Sequence, residues 1–293
     1  MAPGAPDAPE VPAPLRPLVM GVLNVTPDSF SDGGLYDTFE RAVAHGLEMM
    51  AEGADVVDVG GESSRPGAEP VPVEVELRRV IPVVEALARA ARDAHAAERT
   101  GRPSVRISVD TVKREVAEAA LAVGATLVND ISASLWEVAA AAGAGWVAMH
   151  MQGEPRTMQA DPHYGDVVAE VHGFVIERAR RAMAAGVAEV WVDPGIGFGK
   201  TPAHNLTLLH HLGELVGAAE SAGCAGVMVG TSRKRFLGLL AAGQGATEPA
   251  PMAERAEGSL GTAAAALVAG VRMVRVHDVS ATVQMARLYG PAA

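Results

Sequence analysis

The sequence is poor in cysteine, aromatic residues and long apolar runs, which excludes a disulfide, a mainly aromatic core and a membrane-spanning helix. Cys224 is the only cysteine, so no disulfide can form within the chain, and a reducing compartment such as the cytoplasm is expected. Aromatic residues make up 4% of the 293 residues, so the core must consist mainly of Val, Leu, Ala and Met. No window reaches the roughly 18 unbroken apolar residues of a membrane span. No membrane association is therefore expected.

Positive charge is also scarce. The formal net charge of −11 argues against non-specific binding to nucleic acid or to an anionic membrane surface. Lysine occurs only at Lys113, Lys200 and Lys234, so arginine supplies most of the positive charge. A phosphorylated ligand would therefore need a local cluster of cations. Residues 1–16 are rich in Pro and Ala and lack the features of a signal peptide, which predicts a disordered tail before one domain at 17–293.

Short apolar runs alternate with helical patterns along the whole domain. Helical segments are predicted at 38–52, 73–98, 113–123, 164–185, 204–221, 259–269 and 280–289, with an abbreviated helix between 129 and 149. The apolar runs lie at 18–23, 54–60, 105–110, 126–129, 145–150, 189–193, 225–229 and 272–277. Read as strands, these eight runs predict an α/β protein with a (β/α)8 TIM barrel. A doubly wound open sheet is the alternative, but eight strands close a barrel with none left over.

Polar side chains recur near the ends of these runs. Side chains alternate between the two faces of a strand, so Met273, Arg275 and His277 share one face and the valines between them take the other. An unpaired carboxylate inside a barrel would cost several kcal/mol, which favours a shared ligand site. A strand-end Asp or Asn that caps the next turn is the alternative for any one residue alone. The convergent set is Asn24, Asp58, Asp110, Asn129, Asp193, Arg275 and His277.

Two features suggest a phosphate-binding loop and a catalytic cysteine, but neither matches the required pattern. Residues 195–201 resemble a phosphate loop, but Pro194 and Lys200 stand where the Walker and dinucleotide patterns need glycine. The glycines are interpreted instead as allowing the backbone to approach a flat ligand. Cys224 precedes its strand, so it does not form a nucleophile elbow. Lys234 follows the seventh run and is expected to point at the barrel mouth, with a solvated basic turn as the alternative.

The polar strand ends lie within motifs that resemble those of bacterial dihydropteroate synthases. The matching stretches are 24–34, 58–68, 108–111, 129–131, 149–153, 193–200, 232–234 and 275–278, in the order of that family. The resemblance covers nearly the whole domain. It implies an enzyme that joins 6-hydroxymethyl-7,8-dihydropterin diphosphate to p-aminobenzoate, releases diphosphate and makes 7,8-dihydropteroate for folate synthesis. It also implies that the enzyme is a sulfonamide target and a homodimer formed by helices late in the chain.

The resemblance assigns roles to individual residues. The pterin would contact Asp110, Asn129, Met149, Asp193, Phe198 and Lys234. The diphosphate would contact Asn24, Ser64, Arg65, Arg275 and His277, with Asn24 as a ligand of Mg²⁺. The aminobenzoate pocket would include Phe30, Ser63, Ser64, Pro66, Phe198 and Arg235, although many relatives carry serine at the last position. Catalysis would involve Asp58, Arg65, Asp110, Lys234, Arg275 and His277.

The implied chemistry is a dissociative displacement. Fixed positive charge and Mg²⁺ make diphosphate a better leaving group, while Asp58 and Asp110 steady the methylene cation. Two other functions stay open at this point. A methyltransferase that moves a methyl group from methyltetrahydrofolate to a corrinoid would share the pterin residues without needing Arg65, Arg275 and His277. A catalytically silent pterin-binding paralogue is the third possibility, although every candidate catalytic position is filled.

Overall fold

Eight parallel strands close into one barrel. The computed structural model describes residues 16–26, 35–63, 67–97, 104–243 and 245–289, with only the backbone given for 35–38. The strands are β1 Leu18–Asn24, β2 Val56–Gly60, β3 Arg106–Asp110, β4 Leu127–Asp130, β5 Gly145–Met149, β6 Val190–Asp193, β7 Gly226–Val229 and β8 Met273–Val276. Each strand pairs with the next in the chain, and β8 pairs with β1. The predicted (β/α)8 barrel is confirmed, and the closing β8–β1 pair excludes an open sheet.

Helices follow the strands and cover the outside of the barrel. They are α1 Leu35–Glu52, α2 Val73–Ala97, α3 Arg114–Ala122, α4 Trp136–Ala142, α5 Val167–Ala184, α6 Pro202–His210, α7 Leu212–Ala222, α8 Arg235–Ala242, α9 Ala256–Val268 and α10 Val279–Ala286. Short 3-10 helices lie at Met252–Arg255 and Arg287–Tyr289. None of the helices in the described ranges is long and apolar enough to cross a membrane.

The number of helices departs from the sequence prediction in two places. The single helix predicted at 204–221 is two helices, because the chain breaks at His211 between α6 and α7. Helix α8 was not predicted, because the residues that it buries, Phe236, Leu237 and Gly238, are consecutive and do not show the spacing of a helix face. The abbreviated helix before β5 is confirmed as α4, which has seven residues and ends at the left-handed Gly143.

The alternation of side chains along the strands divides the core into two layers. Met20, Val56, Leu127, Val147, Trp191, Met228 and Met273 form a cluster inside the barrel. The intervening residues, such as Val274 and Val276, belong to the larger cluster between the strands and the helices. The predicted parity of β8 is therefore confirmed. Because Arg275 shares the parity of Met273, it too points inward, one layer nearer the carboxyl ends of the strands.

An ion pair lies at the opposite, amino-terminal end of the barrel. Arg106, the first residue of β3, donates from Nη1 to Glu189 Oε1 at 2.6 Å and from Nη2 to Glu189 Oε2 at 2.9 Å. The indole of Trp191 donates to the same carboxylate at 2.7 Å. These contacts satisfy the polar groups below the inner cluster. The other inward-facing polar residues lie at the carboxyl end, where parallel barrels carry their active sites.

Candidate active site

A pocket opens at the carboxyl ends of the strands, inside the barrel. It is lined by Asp110, Asn129, Met149, Asp193, Phe198, Met228, Gly230, Lys234 and Arg275. All six residues assigned to the pterin by resemblance lie in this set, so their predicted convergence is confirmed. Met228 and Gly230 were not predicted. Strand parity in β7 would have identified both, because alternate residues of that strand face the interior.

Four side chains form a connected group in the wall of the pocket, which we term the Arg275 cluster (Asp58, Asp110, Asn129 and Arg275). Arg275 donates from Nε to Asp58 Oδ2 and from Nη2 to Asp110 Oδ2, both at 2.7 Å. Asn129 donates from Nδ2 to the same oxygen of Asp58 at 2.9 Å. Strand register brings these residues close together, because Asp110 pairs with Asn129 of β4 and with Gly60 of β2, two residues after Asp58.

The Arg275 cluster leaves buried acceptors without a donor. Asp58 is fully buried and Asn129 is 1% exposed. Asp58 Oδ1 and Asn129 Oδ1 have no hydrogen-bond partner among the described residues. An orphaned buried acceptor costs about 1–3 kcal/mol, so a ligand that supplies N–H donors would recover part of that energy. Because Asn129 lines the pocket, its amide oxygen is positioned for such a ligand.

Burial shifts the protonation of the carboxyl groups toward the neutral form. It raises the pKa of Asp110 to about 7; Arg275 opposes the shift and Asp58 adds to it. Burial also raises the pKa of Asp193, against the pull of Lys234 and of the Gly195 N–H. The pKa of Arg275 rises, because Asp58 and Asp110 outweigh the effect of its burial. One cation thus serves two carboxyl groups, one of which titrates near neutrality.

The loop after β6, residues 194–201, carries Phe198 into the pocket. Gly195, Gly197 and Gly199 have φ values of 64°, 85° and 61°, which favour glycine. A Cβ atom at Gly195 would lie 1.8 Å from the His150 carbonyl oxygen, and one at Gly199 would lie 2.3 Å from that of Gln152. The interpretation that these glycines admit a flat ligand was therefore wrong for these two positions. They allow the loop after β6 to pack on the backbone that follows β5.

Lys200 fastens this loop and was not assigned a role from the sequence. Its side chain is 2% exposed. Nζ donates to the carbonyl oxygens of Gly195 and Phe198, both at 3.0 Å, and lies 2.9 Å from His150 Nδ1. Burial lowers the pKa of Lys200 to about 7, and burial beside that ammonium lowers the pKa of His150 to about 3. Lysine scarcity singled out Lys200, but only the contacts reveal what it holds.

Lys234 points into the pocket, which excludes the alternative of a solvated turn. Its ammonium lies 4.4 Å from the centroid of the Phe198 ring and donates to the carbonyl oxygen of Ile196. Burial lowers the pKa of Lys234 to about 8, and Asp193 opposes the shift. The neighbours turn elsewhere: Arg233 donates to both carboxylate oxygens of Asp278, at 3.2 and 2.5 Å. Lys234 is therefore the cation of this turn that reaches the pocket.

Other predicted residues lie around the mouth or outside the described ranges. His277 Nδ1 is 3.0 Å from Ser232 Oγ, and neither residue lines the pocket. Half-buried Asn24 ends β1, and its side chain makes no hydrogen bond to the part of the chain that the structure describes. Exposed Arg235 donates to the Thr247 carbonyl oxygen at 3.1 Å and does not line the pocket. Ser63 is described, whereas the segment predicted as a tail, except Arg16, and four site residues lie outside the described ranges: Phe30, Ser64, Arg65 and Pro66.

Comparison with known proteins connects this site to one family. A family model for pterin-binding enzymes matches residues 20–277. Dihydropteroate synthase of Escherichia coli (strain K12) is 45% identical over 280 residues, which cover 93% of this chain and 90% of that protein. The Xanthomonas albilineans dihydropteroate synthase solved with 4-aminobenzoic acid has a TM-score of 0.79 and 45% identity, covering 94% of this chain and 92% of that one. A second structure from that organism, in complex with 7,8-dihydropteroate, has a TM-score of 0.76 and 42% identity at the same coverage.

Proposed function

The chain belongs to the family of pterin-binding enzymes, and we infer that it is a dihydropteroate synthase. Its reaction joins 6-hydroxymethyl-7,8-dihydropterin diphosphate to p-aminobenzoate and yields 7,8-dihydropteroate and diphosphate. The observation that carries this conclusion is the pocket that gathers Asp110, Asn129, Asp193 and Lys234 beside Arg275. Hydrogen-bond acceptors in the pocket wall and cations nearby suit a flat, donor-rich ring that carries an anionic tail.

The pterin would occupy the pocket with its amino group and ring nitrogens toward Asp110, Asn129 and Asp193. The unpartnered Asn129 Oδ1 supports this orientation, because it offers a buried acceptor to a ligand N–H. Lys234 would donate to the pterin carbonyl and a ring nitrogen after giving up its contact with the Ile196 carbonyl oxygen. Charge-assisted hydrogen bonds are roughly twice as strong as neutral ones, so these contacts would supply both affinity and orientation.

The diphosphate would lie nearer the mouth, on Arg275 and His277. Two nitrogens of Arg275 are committed to Asp58 and Asp110, and Nη1 remains without a partner among the described residues. Arg65 and Ser64 would add to this site by the family resemblance. Charge developing on the leaving oxygen would be stabilised by these fixed cations.

Magnesium is part of the proposal, with Asn24 as its protein ligand. No group of three or more His, Cys, Asp or Glu that could hold a metal occurs among the residues described. An amide oxygen suits Mg²⁺, a hard cation that takes oxygen ligands, keeps several waters and is typically bound together with substrate phosphates. The amide of Asn24, which has no described hydrogen bond, offers one such oxygen. When bound, the metal would neutralise charge on the diphosphate.

The Arg275 cluster would stabilise the cation that forms when diphosphate leaves. Two carboxyl groups share one arginine, so the cluster holds excess negative charge whenever Asp110 is ionised. Negative charge near the pterin methylene would favour dissociation. The aromatic amine of p-aminobenzoate is already neutral near pH 7, so its attack needs no strong base. Phe198, Ser63 and Ser64 would border the aminobenzoate, with Phe30 and Pro66 from the neighbouring loops and Arg235 at the periphery.

An assay of diphosphate release tests the function directly. Purified protein should release diphosphate and form dihydropteroate only when dihydropterin diphosphate, p-aminobenzoate and Mg²⁺ are all present. Methyl transfer from methyltetrahydrofolate to a corrinoid should not occur. Diphosphate release that is independent of p-aminobenzoate, or pterin binding without turnover, would contradict the assignment and favour a silent pterin-binding protein.

A homodimer is the assembly we propose, on the resemblance and on two exposed apolar residues late in the chain. Val268, which ends α9, is 73% exposed, and Leu288 is 80% exposed. Sedimentation at micromolar concentration should give twice the mass of 30.1 kDa. A Val268→Glu variant should sediment as a smaller species if that end of α9 lies in the interface, and an unchanged dimer would place the interface elsewhere. A cytoplasmic location stays a prediction from the sequence.

A further inference from the structure

Glu62 joins two separate segments at the start of the loop between β2 and α2. Its Oε2 accepts a hydrogen bond from Lys113 Nζ at 2.5 Å and one from the backbone N–H of Val71 at 2.7 Å. Val71 lies nine residues further along the same loop. One carboxylate therefore holds both ends of the loop together and ties them to the segment that follows β3.

The support beneath Glu62 is a buried charge network, which we term the Glu62 network (Glu62, Glu76, Thr111 and Lys113). Lys113 Nζ also donates to Glu76 Oε2 at 2.5 Å. Thr111, the residue after Asp110, donates to Glu76 Oε1 at 2.7 Å. Hydrogen bonds from both glutamates outweigh burial and raise the pKa of Lys113, which keeps the lysine charged. The network thus links the loop after β2 to the end of the strand that carries Asp110.

The two carboxylates of the network have different surroundings. Glu76 is completely buried, so its charge needs Lys113, and breaking that pair would leave an uncompensated charge in the core. The Glu62 side chain is 23% exposed, and Lys113 already has a buried partner without it. The Lys113–Glu62 contact is therefore not needed to neutralise the core. The contacts of Glu62 instead hold the loop after β2 in place. Arg79 holds the same loop independently, by donating to the Gly61 carbonyl oxygen at 2.9 Å.

We propose that Glu62, held by Lys113, is a positioning residue for p-aminobenzoate. Glu62 directly precedes Ser63, which the proposed function assigns to the aminobenzoate, so this inference rests on that function. The pterin pocket itself contains none of the Glu62 network. Loss of the Glu62 contacts should therefore weaken the use of p-aminobenzoate while leaving the binding of a bare pterin intact.

Two substitutions at Glu62 test the proposal by degrees. Glu62→Gln keeps an acceptor for Val71 N–H but loses the charge that faces Lys113, and the buried Lys113–Glu76 pair survives. Glu62→Ala loses both contacts. We expect Glu62→Gln to raise the KM for p-aminobenzoate roughly tenfold, the effect of one charge-assisted hydrogen bond, and Glu62→Ala to raise it further. The Kd for 6-hydroxymethylpterin, measured by calorimetry, should stay within about twofold, since no pterin contact changes.

Control variants separate positioning from a general loss of structure. Glu137→Gln removes a carboxylate from an ion pair with Arg114 on exposed side chains, so its KM for p-aminobenzoate should equal that of the wild type. Lys113→Arg keeps a cation between the two glutamates and should give a KM closer to wild type than Glu62→Ala does.

The possible outcomes bear on different claims. An unchanged KM for p-aminobenzoate in both Glu62 variants would overturn the positioning role, and so would a parallel loss of 6-hydroxymethylpterin binding. A wild-type protein without dihydropteroate synthesis would instead remove the proposed function, and the positioning role with it. Active wild-type protein with a raised KM in the Glu62 variants alone supports both.

Discussion

Replacing Arg275 by methionine should unfold the protein more easily as well as stop turnover. Methionine retains an unbranched stem but removes the cation shared by Asp58 and Asp110. Loss of one partner from a buried ion pair costs about 3–5 kcal/mol. Asp58 is fully buried and Asp110 is 18% exposed, and both hydrogen bonds measure 2.7 Å. Because one substitution strands two carboxyl groups, we expect a loss of unfolding free energy toward the upper end of that range near pH 8.

The destabilisation should depend on pH with a definite sign. Burial raises the pKa of Asp110 from 3.8 to about 7, and the charge of Arg275 limits this rise. Without the arginine it should rise further. A carboxyl group whose pKa is raised on folding favours the folded state fully below its unfolded value, and that contribution is lost as the pH rises through the folded value. The variant should therefore lose less stability at about pH 5 than at about pH 8. The difference should reach at most about 1.4 kcal/mol, because pH 8 lies one unit above the wild-type pKa of about 7.

Urea titrations of the wild type and Arg275→Met at these two pH values make the measurement. The double variant Asp58→Asn/Arg275→Met is the control, because it removes one stranded charge and should regain stability at the higher pH. A stability loss below about 1 kcal/mol, or an equal loss at both pH values, would show that the arginine does not hold these carboxyl groups as the 2.7 Å contacts indicate.

Three further predictions concern ligand binding and turnover. Asp193→Ala should weaken pterin binding by about 1.5–3 kcal/mol in calorimetry, the value of a charged hydrogen bond, and an unchanged Kd would refute its role. Pterin affinity should be highest between the pKa values of about 7 for Asp110 and about 8 for Lys234, since the acceptor must lose its proton and the donor must keep its own; a Kd that does not vary with pH would contradict this. Lys200→Met should lower turnover by freeing the carbonyl oxygens of Gly195 and Phe198, whereas full activity would show that the loop holds without it.

Much of the fold could be predicted from the sequence because the signals are local. Apolar runs that alternate with helical segments predicted the barrel, and the two-residue period of a strand placed Met273 and Arg275 on its inner face. The break at His211 was missed because it is a single residue, and helix α8 was missed because its buried residues are consecutive. Motif resemblance likewise identified seven of the nine residues that line the pocket, all but Met228 and Gly230, since each motif is a short contiguous stretch.

What the sequence alone determined is therefore which residues face the barrel interior and which family the motifs resemble. Tertiary structure alone decided what those residues do to one another. Arg275 binds Asp58, 217 positions away in the chain, and Lys113 binds Glu62, 51 positions away. The neutral-range pKa of Asp110, the orphaned oxygen of Asn129 and the packing of Gly195 on the His150 carbonyl follow from such contacts. Their physical reason is common: burial and distance set electrostatic energies, and both exist only once remote segments have come together.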